Sequence, residues 1–92
     1  MLAKRPELLG RLRGEETNVW PGLCQRMEMG EIEAFALRLR AWADEGSFAQ
    51  LRRYAEGLIE QVDNFDVDRL PKSLRDFPSV CRSLEGEQPQ NS

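Results

Sequence analysis

Four sets of side chains in this sequence have the types and spacing to do chemistry. They are the oxygen-rich run Asp63, Asn64, Asp66 and Asp68, the thiols Cys24 and Cys81, the amines Lys4 and Lys72, and the adjacent guanidinium groups Arg52 and Arg53. The acidic run raises calcium first. A helix–loop–helix calcium loop needs alternating oxygen ligands, glycine at its sixth position and glutamate at its twelfth. Counting from Asp63, the third, sixth and twelfth residues are Phe65, Asp68 and Leu74; counting from Asn64, the sixth and twelfth are Arg69 and Arg75. Neither frame supplies the ligands. Helix capping by Asp66 and a favourable helix-dipole position for Asp68 account for these acids.

The two thiols stand 57 positions apart, which is no metal-ligand spacing, and the chain holds no histidine with which to complete a Cys/His zinc set. Both are read as reduced, apolar core groups in a cytoplasmic setting. Without histidine there is no Ser–His or Cys–His nucleophile pair, and both lysines fall on solvent-facing sequence. The seven glycines are scattered singly, so no phosphate-cradling loop is present. Catalytic, cofactor-binding and metal-binding residues are therefore all predicted to be none. Arg52 and Arg53 are left as candidates for gripping an acidic or phosphorylated protein partner.

Charge narrows the partner class. Lys4, Arg5, Arg11 and Arg13 against Glu7 alone give residues 1–14 a net +3, leaving −6 for the remainder of a chain whose total is −3. Nucleic-acid affinity is dominated by phosphate neutralisation, which an acidic body does not provide. No apolar run approaches the ~20 residues of a membrane span, and the N-terminus has no apolar signal-peptide core. Neither nucleic acid nor membrane is an expected partner.

The elements that would position these groups are all helical by periodicity. A first short helix has Pro6 in its first turn and Leu8, Leu9 and Leu12 on one face, with Gly14 ending it. A second, capped by Thr17 or Asn18, carries Trp20, Leu23, Cys24 and Met27 and stops at Gly30. A third, over residues 31–44, places Ile32, Phe35, Ala36, Leu39, Trp42 and Ala43 on one stripe, with Gly46 as its left-handed cap. The capping-box pair Ser47 and Gln50 opens a fourth, reaching about Asn64, with Phe48, Leu51, Ala55, Leu58, Val62 and Phe65 on its face and Gly57 in its interior. The last helical segment shows a heptad-like seam of Val67, Leu70, Leu74, Phe77, Cys81 and Leu84, which Pro78 should kink or split near Phe77. The prediction is an all-α fold: a small helical bundle of four to five helices with antiparallel neighbours, a single domain over residues 1–84, and a flexible tail over 85–92. Its core should hold Ile32, Phe35, Leu39, Trp42, Leu51, Tyr54, Leu58, Val62, Phe65, Leu70, Leu74 and Phe77. Trp20 and Leu37 lie beside the neatest stripes and are the apolar candidates for a partner-binding patch.

The series Ile32-Glu33-Ala34-Phe35-Ala36-x-x-Leu39, Tyr54-Ala55-x-x-Leu58, Phe65-Asp66-x-x-x-Leu70 and Leu74-x-x-Phe77-Pro78 resembles the helical segment at the C-terminal end of bacterial hybrid sensor histidine kinases, following their kinase and receiver domains. The resemblance covers about residues 19–84. Where such segments have a Pro-Leu pair this chain has Gln50 and Leu51. It has no histidine to accept a phosphoryl group, so the resemblance implies a phosphotransfer-like bundle lacking the histidine, in a two-component signalling context and without phosphate chemistry. The expected function is a non-catalytic protein-interaction module that docks on a receiver or histidine kinase domain. The alternative is a homodimerising or structural bundle, with the 67–84 seam paired against its copy; a DNA-binding helix-turn-helix is disfavoured by the acidic helices after residue 14.

Overall fold

A computed structural model describes residues 4–86. Its helices are α1 (Lys4–Gly14), α2 (Trp20–Arg26), α3 (Met29–Gly46), α4 (Ala49–Asp63), α5 (Leu70–Arg75) and α6 (Phe77–Gly86), with a π-helical turn over Glu15–Val19 between α1 and α2. They form four rods, because α1, the π turn and α2 run on without a break and α5 and α6 are parted only by Asp76. The fold is a small all-α bundle, as the periodicity predicts.

The break expected between the first two helices is replaced by the π turn. Gly14 keeps right-handed helical angles (φ −61°, ψ −41°), and neither Thr17 nor Asn18 caps α2, whose preceding residue is Val19. Pro21 cannot donate to the carbonyl four residues back. Widening the turn, as in the Trp20 N–H to Glu15 carbonyl bond, lets the helix absorb that missing donor. Glu15 in this turn also accepts a 2.9 Å hydrogen bond from Arg38 of α3, which fastens the wide turn to the next rod.

The α3–α4 pair is the largest internal contact and forms an αα-hairpin over the two residues Ser47 and Phe48. Its turn differs from the sequence reading. Ser47, not Gly46, takes the left-handed conformation (φ 57°), and the Phe48 N–H returns to the Ala43 carbonyl at 2.9 Å, as in a Schellman cap. Phe48, rather than Ser47, precedes the first turn of α4, so no capping box forms. Gly46 is buried inside α3 for a steric reason: a Cβ there would lie 2.6 Å from the Phe48 ring and 2.8 Å from Leu8.

The same device ends two other helices. Met27 (φ 51°) closes α2 where Gly30 was expected to, and Gly30 lies instead in the first turn of α3. Phe65 (φ 52°) closes α4, with its N–H on the Val62 carbonyl at 3.1 Å and the Asp66 N–H on the Gln61 carbonyl at 2.9 Å. None of the described glycines has positive φ.

The core draws on every rod: Leu8 and Leu12, Leu23, the α3 stripe from Ile32 to Ala43, Phe48 to Val62 along α4, and Leu70, Leu74, Phe77, Val80, Cys81 and Leu84. No polar or charged side chain is buried among the described residues. Phe77 is its hub. Phe35 meets it edge-on at 5.1 Å, Tyr54 stacks at 6.1 Å and Trp20 lies tilted at 6.5 Å. Tyr54 and Trp42, expected in the core, are half-buried at its margin.

The predicted split around Phe77 is present, and its hydrogen bonding explains how the bundle tolerates it. Pro78 has no N–H for the Leu74 carbonyl four residues earlier. The Trp20 indole N–H donates to that carbonyl at 2.7 Å, and the Tyr54 hydroxyl donates to the neighbouring Ser73 carbonyl at 2.6 Å. Two aromatic side chains thus satisfy acceptors at the end of α5. At the far end, α6 continues through Glu85 and Gly86, which the sequence placed in a loose tail; the Glu85 carboxylate accepts a 2.7 Å bond from Arg13 of α1. Residues 87–92, the rest of that tail, lie outside the described residues.

Candidate protein-docking surfaces

Three places on the bundle expose groups that a partner could hold. The first is the turn between α4 and α5. Here Phe65 is 73% and Val67 61% exposed, although the sequence placed both on buried stripes. The reason is local. A left-handed residue at a helix end turns the chain away from the helix, so the α4 period stops before Phe65. Residues 67–69 form a turn rather than the first turn of α5, so the seam starts at Leu70 and not at Val67. Asp66, expected to cap the last helix, instead closes the turn before it. The N-cap of α5 is Arg69, with no side-chain cap bond, while Asp66 Oδ1 accepts from the Arg69 N–H at 3.2 Å and its carbonyl accepts from the Leu70 N–H at 3.0 Å. The result is a fixed apolar knob of two side chains, with exposed Asp63 and Asp68 on either side.

The second place is a groove between α2 and α5 of about 500 Å³, lined by Trp20, Cys24, Met27, Pro71, Leu74 and Arg75. Trp20, a predicted partner-binding residue, is half-buried here, and its one donor is engaged by Leu74. Cys24 is half-buried on the groove wall. Burial raises its thiol above the ordinary value, and the Arg75 guanidinium partly offsets this. Cys81 is core, and burial above all, with the Glu16 and Glu85 carboxylates adding to it, pushes its thiol up to about 12. Native chain treated with iodoacetamide near pH 8 should therefore alkylate at Cys24 at least tenfold faster than at Cys81. Peptide mass spectrometry reads this directly, and equal rates would mean that α6 opens as readily as the groove.

The third is a hollow of about 430 Å³ at the α3–α4 turn, lined by Ala43, Asp44, Ser47, Phe48, Ala49, Arg52 and Arg53. It brings together the two predicted arginines, both exposed. Arg52 is already engaged, 3.5 Å from Asp44 and 3.2 Å from Glu56, in exposed ion pairs of the kind worth well under 1 kcal/mol. The remaining predicted contact residue, Leu37, is 43% exposed on α3 and lines none of these three places.

Sequence reasoning therefore found one residue of the groove and two of the hollow, and missed the knob. The signal for the knob was the run of four turn-forming residues, Asp63, Asn64, Asp66 and Asp68, around Phe65, since such a cluster ends helices rather than extending their stripes. No helix is long and apolar enough to cross a membrane, and no cluster of three or more His, Cys, Asp or Glu side chains suited to a metal ion occurs, both among the described residues. No family model, curated protein or solved structure matches the chain.

Proposed function

We propose that this chain is a non-catalytic helical protein-interaction module of a bacterial two-component system of the hybrid sensor histidine kinase type, docking on a receiver or histidine kinase domain. The observation that carries the interaction role is the knob. Phe65 is a bulky, non-glycine residue held at φ 52°, a conformation costing of order 1 kcal/mol or more, and it presents its ring to solvent. Burial in the bundle does not repay that cost. An exposed aromatic beside an exposed valine, fixed by a cap and flanked by aspartates, is the arrangement of a docking anchor. The signalling context rests on the resemblance of residues 19–84 to the C-terminal segments of such kinases.

The homodimer reading loses its expected surface. Leu70, Leu74, Phe77, Cys81 and Leu84 are all buried within one chain, and of the seam only Val67 faces outward.

The test is an NMR titration of the isotope-labelled chain with a receiver domain from its own signalling system, with and without beryllium fluoride as phosphoryl mimic. Shifts concentrated on residues 62–69 are expected. Phe65→Asn should leave the fold at least as stable, since asparagine tolerates the left-handed conformation, while weakening receiver binding at least tenfold. Unchanged spectra with both receiver and kinase domains at high micromolar concentration would dispose of the proposal.

A further inference from the structure

From the groove between α2 and α5 we infer a second docking site, separate from the knob, whose occupant is an amphipathic helix of a partner protein carrying carboxylates beside its apolar stripe. The shape argues for a helix. Trp20, Cys24 and Met27 stand at i, i+4 and i+7 along one wall, a half-exposed strip about 10 Å long. Pro71 and Leu74 form the opposite wall from α5. Two turns of an incoming helix present anchors at the same spacing, and about 500 Å³ accommodates two or three of its side chains.

The floor is preformed and apolar. The Trp20 indole N–H is held by the Leu74 carbonyl at 2.7 Å and its ring leans on Phe77, so the largest lining residue keeps its place without an occupant. Met27, in its left-handed turn, fixes the end of the α2 wall. A preformed groove of this kind avoids much of the ordering entropy that weakens association.

Charge selects the occupant. Arg11, Arg13, Arg26, Arg38, Arg52 and Arg69 each have a carboxylate within ion-pair distance. Arg75 has none among the described residues; Arg40, Arg53, Arg82 and Lys72 also have none, but of these cations Arg75 alone lines the groove. Arg75 lines the groove, and Cys24, which faces it, is the groove's other titratable group. In a chain of net charge −3, this puts one unpaired cation, Arg75, at the edge of an apolar groove, complementary to an acid residue flanking an apolar stripe.

The experiment uses the full chain, isotope-labelled, and two synthetic helical peptides with the same Leu/Phe stripe, one flanked by glutamates and one by lysines. The glutamate peptide should shift the Trp20 indole N–H and the Cys24 and Met27 signals, and should bind at least tenfold tighter than the lysine peptide. Arg75→Glu, a change at an exposed position, should abolish or reverse that preference. The Phe65→Asn chain should bind the glutamate peptide unchanged, which separates this site from receiver docking. Equal affinity for the two peptides, shifts confined to the α3–α4 hollow, or no binding at millimolar peptide would each overturn the inference. So would the same shifts appearing on concentrating the chain alone, because the occupant would then be a second copy.

Discussion

Phe77→Ala is expected to destabilise the bundle by about 3–5 kcal/mol, enough to unfold a large fraction of the chain at physiological temperature. Phe77 is fully buried and touches aromatic rings from three other rods: Trp20 of α2, Phe35 of α3 and Tyr54 of α4. Removing it opens a cavity that none of the three can fill without losing something. Trp20 and Tyr54 are tied by hydrogen bonds to the Leu74 and Ser73 carbonyls, and Phe35 is itself fully buried in α3. The cavity contribution should therefore sit near the upper end of the usual range. Urea denaturation followed by circular dichroism measures it, and in a domain of this size the melting temperature should fall by roughly 15 °C or more. A loss below about 1 kcal/mol would mean that the aromatic cluster collapses onto the gap and that Phe77 is not its hub.

The second large effect concerns two glycines whose substitution by alanine should have opposite signs. Gly57→Ala in α4 meets nothing within 4 Å, so the ordinary helix preference applies and a gain of up to ~1 kcal/mol is expected. Gly46→Ala in α3 has the same intrinsic gain, but its new Cβ would sit 2.6 Å and 2.8 Å from Phe48 ring atoms and 2.8 Å from Leu8. Phe48 cannot swing aside, because it is buried and its own backbone N–H is bound into the helix cap. Overpacking of this kind costs about 1–3 kcal/mol, so the net change is destabilising, and valine at position 46 should be worse than alanine. Parallel thermal melts of the two alanine variants decide it. A stabilised Gly46→Ala chain would show that the α3–α4 turn yields easily.

These two glycines also show where the sequence was readable and where it was not. Periodicity alone located all four rods and most of the core, because Ile32, Phe35, Leu39, Leu51, Leu58 and Leu74 repeat at helical spacing whatever the turns do. The rule that proline parts a helix also held, at Pro78. The helix ends were less legible. Glycine is the usual left-handed residue, so Gly30 and Gly46 were natural stops, yet Met27 and Ser47 take that conformation. What decides between neighbouring residues there is tertiary: the Phe48 ring must pass close to α3, and only an absent side chain at position 46 permits it. The same local exchange hid the knob, because Phe65 fits the α4 stripe by spacing and leaves it through one backbone angle. Of the candidate contact residues, Arg52 and Arg53 converge on one hollow and Trp20 reaches the groove, whereas Leu37 stands apart from all three places. Nothing in a linear pattern tells that α2 and α5 will lie side by side.

The bond from Trp20 to the Leu74 carbonyl spans 54 positions and joins the two ends of the chain. In a chain that has formed α5 and α6 alone, the nearby Asp76 N–H and water are the partners open to that carbonyl. The arrival of α2 replaces water there with the Trp20 indole N–H, and that same step closes the floor of the groove beneath Met27 and Cys24. The proline break thus gives the N-terminal rod a direct hold on the C-terminal one, far apart in sequence and adjacent in the fold.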